Sequence, residues 1–409
     1  MTRDEGQLIF PPMERVIYGK PAAQAVREEA ERLKASRIFL VVSRTLNTTT
    51  DEIQKVRDAL GGRYAGTFDG VPQHTTRTSA IAVAMAAAEA GADLLVAIGG
   101  GSVVDVVKIA IMCIEHEITA EAGLDGYERV GSEGGVITQK HFRSPRVRTV
   151  VVPTTLSGGE YNMGALVTDT SRGWKQTFAH PEMMPRSIIL DAAIARHTPE
   201  TLWLGSGTRA MDHGIEALLS PAGNPLVDAV VTQGIADLAQ GLVKSRAAPD
   251  DLELRALCQR GSWLAAFGLQ CRVPMGASHA IGHVLGGTIG VPHYLITPTL
   301  MPHVLRYNKP VTQEAQSVLA RALGEEGTDA ADALERLVAR LGLPGRLADV
   351  GVQPSDFPKI ADVAVKSVFA RSNPRPLARP QDVIDLLETQ GSVSSMEARD
   401  RIAAPQRGV

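Results

Sequence analysis

Four of the ten histidines in this 409-residue chain fall in one stretch, residues 276–308 (GASHAIGHVLGGTIGVPHYLITPTLMPHVLRYN): His279, His283, His293 and His303. His279 and His283 are four apart, which on a helix sets both imidazoles on one face, a turn apart. Gly286 and Gly287 are expected to end or loosen that helix, and Val291-Pro292 to lead an extended segment to His293. Such a path brings a third imidazole back toward the helix face, where the group can hold a metal ion or move a proton. A lone HxxxH is more often a satisfied core pair or an exposed pair. What lifts this one above that reading is a second patch upstream, GSGTRAMDHGIEALLS at 205–220, which presents the same i, i+4 face with Arg209 in the first position and His213 in the second.

A different chemistry is written at 95–108, LVAIGGGSVVDVVK. A strand runs into Gly99, Gly100 and Gly101 and then into a helix opened by Ser102. Glycines let backbone approach an anion closely, and a helix N-terminus offers unpaired N–H groups and the positive end of its dipole. Phosphate is the guest this suits, although the spacing is neither GxxxxGK[ST] nor GxGxxG and a plain strand-to-helix turn competes. A second loop, PTTLSGGE at 153–160, follows the next strand with hydroxyls and glycines at the carboxyl edge of the sheet, where open α/β folds bind ligands.

The elements that position these groups fall into two textures. Residues 14–190 alternate β-branched runs (37–42, 94–98, 147–152) with Ala-rich helical patterns (21–35, 79–90), the mark of a parallel sheet covered on both faces. From Thr198 the pattern is helical throughout, with starts at Thr198-Pro199-Glu200 and Asn224-Pro225. The chain therefore reads as an α/β domain over 1–190 and a helical, catalytic domain over 191–409, with chemistry in the cleft between them. A hydrophobic content of 44% and a net charge of −3 are those of an ordinary soluble protein and argue against a nucleic-acid or membrane-surface role. The first residues hold no apolar run of the signal-peptide kind, and no run approaches a membrane span. Cys113, Cys258 and Cys271 lack CxxC spacing and read as reduced, buried thiols of a cytoplasmic protein.

Taken together, GGGSxxDxxK, the PTT loop, the HGIE patch and HxxxHxLGG…PH resemble the iron-containing alcohol dehydrogenase superfamily, in the family's order from Tyr18-Gly19 to Asn373–Pro376. The resemblance implies an N-terminal dinucleotide-binding domain, a helical domain holding a divalent metal, NAD(H) or NADP(H) as cofactor, a small-molecule substrate and a homodimer. It implies cofactor contacts at Gly99, Gly100, Gly101, Ser102, Asp105, Thr154, Thr155 and Lys175. The implied metal ligands are the residue at 209 with His213, His279 and His293, and His283 lies beside the reacting carbon.

At 209 the sequence departs from that pattern. Metal-dependent members carry Asp there, whereas arginine is always protonated, has donors only and repels a cation. Asp212 is not expected to substitute, since it lies about 100° around the helix from His213. Three histidines with water still suffice for a catalytic zinc. The maleylacetate reductases, a branch that works without metal, are similar in lacking the ligating Asp, in the eight-residue PTT loop and in YAGTFDG at 64–70. They usually carry Asn at the position of Arg209 and commonly lack the Asp at 105, and the 115–145 insert is more like that of the alcohol dehydrogenases. The expected reaction is a metal-free NAD(P)H-dependent reduction of a carboxylated enone or ketone. In it Arg209 steadies the oxygen or anchors a carboxylate, and His279 or His283 delivers a proton as a general acid titrating in the neutral range. The alternatives are a metal-dependent alcohol dehydrogenase or aldehyde reductase, a dehydroquinate synthase-type lyase, and a degenerate member without turnover. The position that in metal-dependent relatives holds an Asp after the 38–42 strand is Ser43, followed by Arg44. Loss of that carboxylate and gain of a cation make a 2′-phosphate tolerable, so both cofactors are expected to work.

Overall fold

A computed structural model of the chain describes residues 7–131 and 137–389. Its strands, in chain order, are β1 (Arg15–Tyr18), β2 (Ile38–Val42), β3 (Tyr64–Phe68), β4 (Leu94–Gly99), β5 (Val130–Gly131), β6 (Ile137–Thr138), β7 (Arg148–Pro153), β8 (Gly164–Asp169), β9 (Trp174–Ala179) and β10 (Ser187–Leu190). Six of them form one parallel sheet in the order β1-β10-β7-β4-β2-β3. Every residue of β2 and of β4 is buried, as continuous apolar runs require when helices cover both faces. Their alternation divides them between two cores. Phe39, Val41, Leu95 and Ala97 pack on one face, and Ile38, Leu40, Val42, Val96 and Ile98 on the other.

Two antiparallel ribbons lie outside that sheet. β5 and β6 sit in the 115–145 insert, part of which (132–136) is outside the described residues. The β8–β9 hairpin, which the sequence did not announce, packs on the helix Gly101–Glu115 and carries Lys175. Buried Arg77 pins it, reaching Gln176 at 2.8 Å and Asp169 at 3.4 Å.

The sheet's last strand ends at Leu190, and the chain is helical from Ala192. Pro199 caps the helix Glu200–Leu219, and Asn224 caps Pro225–Ala247 by accepting from the Val227 N–H at 3.1 Å. The first of these helices is the axle of the helical half. It is buried at every residue from Trp203 to Leu219, among Pro225–Ala247, Leu252–Ala265 and His293–Ala322. Pro225–Ala247 is the one described helix long and apolar enough to cross a bilayer, and it is a core helix packed against Glu200–Leu219 and Leu252–Ala265. All three cysteines are buried and unpaired.

The double-histidine segment differs from expectation in one respect. Its helix runs Ala277–Val284, continues through Gly286 and Gly287 as a single π-helical turn (Leu285–Ile289) and reverses at Gly290, which holds φ +84°. Pro292 is the N-cap, and His293 is the first residue of the next helix rather than part of an extended segment. The glycines tolerate the widened turn, and only the short link 290–292 separates it from the helix that opens with His293.

Candidate active site

At the carboxyl edge of the sheet, Gly99 closes β4, Gly100 is the N-cap and Gly101 the first residue of the next helix. The helix thus opens one residue before Ser102, and the Ser102 hydroxyl donates to the Gln73 carbonyl. Thr75 Oγ1 donates to the Ser102 carbonyl at 3.0 Å, so the 70–76 loop is laced to the glycine turn. The turn is also pressed against the PTT loop. A Cβ on Gly100 would stand 3.1 Å from Thr155 Cγ2, and the Thr154 N–H donates to the Gly99 carbonyl at 3.0 Å. The helix has no side-chain cap at Gly100, so its first N–H groups are available to an anion, which suits a phosphate.

Behind the cradle, Asp105 is half-buried and Lys108 fully buried. Lys108 Nζ donates to the carbonyls of Gly159 (2.7 Å), Asn162 (2.7 Å) and Gly164 (2.9 Å), fixing the chain that follows the PTT loop. Burial pushes the Asp105 carboxyl up to about 6 against the pull of Lys108 and Lys175, and Glu160 up to about 7; it pushes Lys108 down to about 8. Lys175 is half-buried and lowered by the same cause, opposed by Asp105.

In the helical half, the face of helix Glu200–Leu219 at 209, 212, 213 and 216 meets the double-histidine helix. Arg209 Nη1 donates to Asp212 Oδ2 at 2.7 Å, and the same oxygen accepts from Ser278 Oγ and Thr297 Oγ1, each at 2.7 Å. Asp212 therefore does not point away. It stands three residues after Arg209 on the same face, because the buried stripe is wider than the 100° between neighbours. Glu216 accepts from the N–H groups of Gly276 (2.8 Å) and Ser278 (2.7 Å), so its carboxylate caps the helix that carries His279. Its Oε2 is also 2.6 Å from His279 Nδ1.

His279 and His283 share one helical face, as their spacing required, and His213 meets them from the neighbouring helix. The His213 and His279 rings are 5.2 Å apart and those of His279 and His283 6.2 Å, with the Phe369 ring edge-on to His279 at 5.9 Å and to His283 at 5.8 Å. The PTT loop meets this face at Gly158. This glycine holds φ +75°, and a Cβ there would be 3.0 Å from His213 Nδ1, a buried atom with no partner among the described residues.

Burial, and after it the Arg209 charge, lowers His213, His279 and His293 well below the ordinary histidine range and His283 to about 4. His279 and His283 are thus neutral imidazoles at pH 7, not groups titrating in the neutral range as the sequence suggested. Burial pushes Glu216 up to about 7 against its two N–H partners and Arg209.

Arg209, His213, His279, His283 and His293 all share the one charge environment centred on Arg209. Ser43 and Arg44 lie apart, at the end of β2 on the far side of the glycine turn, and the Arg44 side chain is 71% exposed. Asp212, Glu216 and Phe369 had no role in the sequence reading. The repeat of i, i+3 and i+7 after Arg209 was the available signal for the first two. Asp212, Glu216 and His279 place their ligand atoms within 4.8 Å of one another, the one such described group able to hold a metal ion.

Two family profiles match nearly the whole chain: "Iron-containing alcohol dehydrogenase" over 12–192 and "Fe-containing alcohol dehydrogenase family, C-terminal" over 204–391. The chain is 30% identical to maleylacetate reductase 1 of Cupriavidus pinatubonensis over 375 residues, 92% of this chain and 93% of that one. It is also 30% identical to a probable alcohol dehydrogenase of Salmonella typhimurium over 392 residues, 93% of each. The crystal structure of maleylacetate reductase from Agrobacterium tumefaciens superposes with a TM-score of 0.78 at 26% identity, covering 94% of this chain and 97% of that one.

Proposed function

Because the chain belongs to the iron-containing alcohol dehydrogenase superfamily, in its maleylacetate reductase-like branch, we propose that it reduces a small carboxylated enone or ketone with NADH or NADPH and without a metal ion. One observation carries the metal-free reading: the buried Arg209–Asp212 pair, whose guanidinium charge already lowers His213, His279 and His293. The residues do not fit a divalent ion there. A metal on those imidazoles would share the site with a fixed cation that has only donors. The Asp212–Glu216–His279 group is little better, since Arg209 lies on the first and the other two are bonded to each other.

The dinucleotide fits on the other side of the cleft, where any Cβ on Gly100 would crowd the PTT loop and where the helix N-terminus is bare. When bound, the nicotinamide supplies a hydride from ring C4. The work of the chain is to place the electrophilic carbon and to steady the oxygen that gains charge. Arg209 uses Nη1 on Asp212 and, among the described residues, has no protein partner for Nε and Nη2, which are left for a carboxylate or an enolate oxygen. His279 donates from Nε2 as a neutral imidazole, and Nδ1 recovers a proton from Glu216 across the 2.6 Å contact. That leaves a carboxylate held by the Gly276 and Ser278 N–H groups.

The lyase alternative calls for clustered phosphate-binding basic residues that the sequence lacks, and the degenerate alternative predicts binding without turnover. A screen of carboxylated enones, ketones and simple aldehydes, followed at the reduced-nicotinamide absorbance band, tests the proposal. Stoichiometric loss of the band with a carboxylated enone such as maleylacetate supports it. Turnover with simple aldehydes alone, or none with any substrate, contradicts it.

A further inference from the structure

The strand order fixes which way a bound dinucleotide runs. The reacting end lies on the β7 side, where Gly158 of the PTT loop stands against His213. The glycine turn follows β4, the next strand over, and takes the pyrophosphate. The adenosine ribose is then carried to the ends of β2 and β3, the strands beyond. Val42 pairs with Ile98 and Val41 with Phe68, so Ser43 and Asp69 are neighbours at that edge. Ser43 is further tied in by its N–H, which donates to the Ile98 carbonyl at 2.9 Å.

Asp69 is a carboxylate just past the end of β3, the strand next to the one where an acid would be sought. Asn47 Nδ2 donates to its Oδ2 at 2.8 Å, and Arg57 Nη2 holds Asn47 Oδ1 at 2.6 Å, so its orientation is set from behind. Its other oxygen is 3.8 Å from Arg44 Nη2, too far for a hydrogen bond. The carboxylate is 28% exposed and the guanidinium 71%, so the first is anchored and the second is free to turn.

We infer that Asp69 and Arg44 together discriminate between a free ribose 2′-hydroxyl and a 2′-phosphate. This rests on the nicotinamide reading above, but not on the identity of the substrate or on the metal. Asp69 accepts the hydroxyl of NADH and repels the phosphate of NADPH. Arg44 swings from Asp69 to pair with the phosphate. The negative charge missing at Ser43 is thus supplied from β3, and the wild-type protein holds both cofactors with dissociation constants within about tenfold, the factor that 1.4 kcal/mol represents.

The test is binding of NADH and of NADPH, each by its own fluorescence, to the wild-type full chain, Asp69→Asn and Arg44→Ala, without substrate. The amide oxygen introduced by Asp69→Asn can still accept from Asn47, so the loop keeps its shape. The Kd ratio is expected to move at least tenfold toward NADPH in D69N and at least tenfold toward NADH in R44A. Binding of both cofactors with a ratio unmoved by D69N overturns this inference alone. Binding of neither to the wild-type protein overturns it together with the nicotinamide reading.

Discussion

Arg209 Nη1 and Asp212 Oδ2 are 2.7 Å apart in a pair whose side chains are 5% and 0% exposed. The buried cation at 209 thus comes with its own counter-ion. Removing one partner of such a pair costs about 3–5 kcal/mol, because the other is left buried and uncompensated. Arg209→Ala is accordingly expected to lower turnover by more than tenfold and also to lower the melting temperature. Arg209→Ala/Asp212→Asn should regain most of the melting temperature and none of the turnover. Recovery of both in the double variant would make the pair structural only.

Glu216 both caps the His279 helix and bonds His279 Nδ1. Glu216→Gln keeps an acceptor for one N–H but cannot exchange a proton with the imidazole. It is expected to reduce kcat by at least tenfold with KM changed by less than threefold and to lower the melting temperature less than Glu216→Ala does, since one N–H loses its acceptor. Glu216→Ala removes the cap as well and should lower the melting temperature too. Native kcat in the Gln variant would rule out proton recovery through this contact.

Gly158 and Gly159 make a matched pair of tests. A Cβ on Gly158 meets His213 Nδ1 at 3.0 Å from a backbone with φ +75°, whereas one on Gly159 meets nothing within 4 Å. Gly158→Ala adds about 1 kcal/mol of backbone cost to that clash and should reduce kcat/KM by tenfold or more. Gly159→Ala should stay within threefold of wild type. Equal kinetics in the two variants would mean that the PTT loop does not position His213.

His283 is lowered from 6.5 to about 4 by burial and the charges of Arg209 and Lys175. A depressed histidine contributes stability that is full above 6.5 and lost as pH falls toward 4, since the unfolded chain takes up the proton first. That gap is worth ~3 kcal/mol. Asp105 and Glu216, raised by burial, act in the opposite sense over an overlapping window, losing their contribution as pH rises toward about 6 and 7. The clean measurement is therefore a difference. Urea unfolding of wild type and His283→Asn at pH 7 and pH 4 should show wild type losing ~2–3 kcal/mol more on acidification. Parallel losses would mean that His283 is not held neutral.

Much of this arrangement was legible before any coordinates. The glycine turn, the parallel sheet and the shared face of His279 and His283 follow from local pattern, because apolar periodicity and HxxxH spacing act within one element; the grouping of His213 and His293 with them was implied by the family resemblance. What was missed lies between elements. Asp212 was set aside by measuring its angle from His213, when the partner that decides its role, Arg209, is a turn away in the other direction. Glu216 gains its role from Gly276 and Ser278, sixty residues on in a different helix. Asp69 became visible only when the sheet order put β3 beside β2. The π-helical turn before His293 had no signal beyond two glycines, which read equally as a helix end.

The central claim is that Arg209 does the work a metal does elsewhere in the superfamily. Elemental analysis of the purified, active protein, with turnover measured before and after exhaustive chelation, tests it most directly. The account predicts less than one-tenth of an equivalent of iron or zinc per chain and turnover unchanged by the chelator, about what a site closed by a guanidinium allows. One tightly bound metal per chain, with activity lost on its removal and restored on its return, would contradict it.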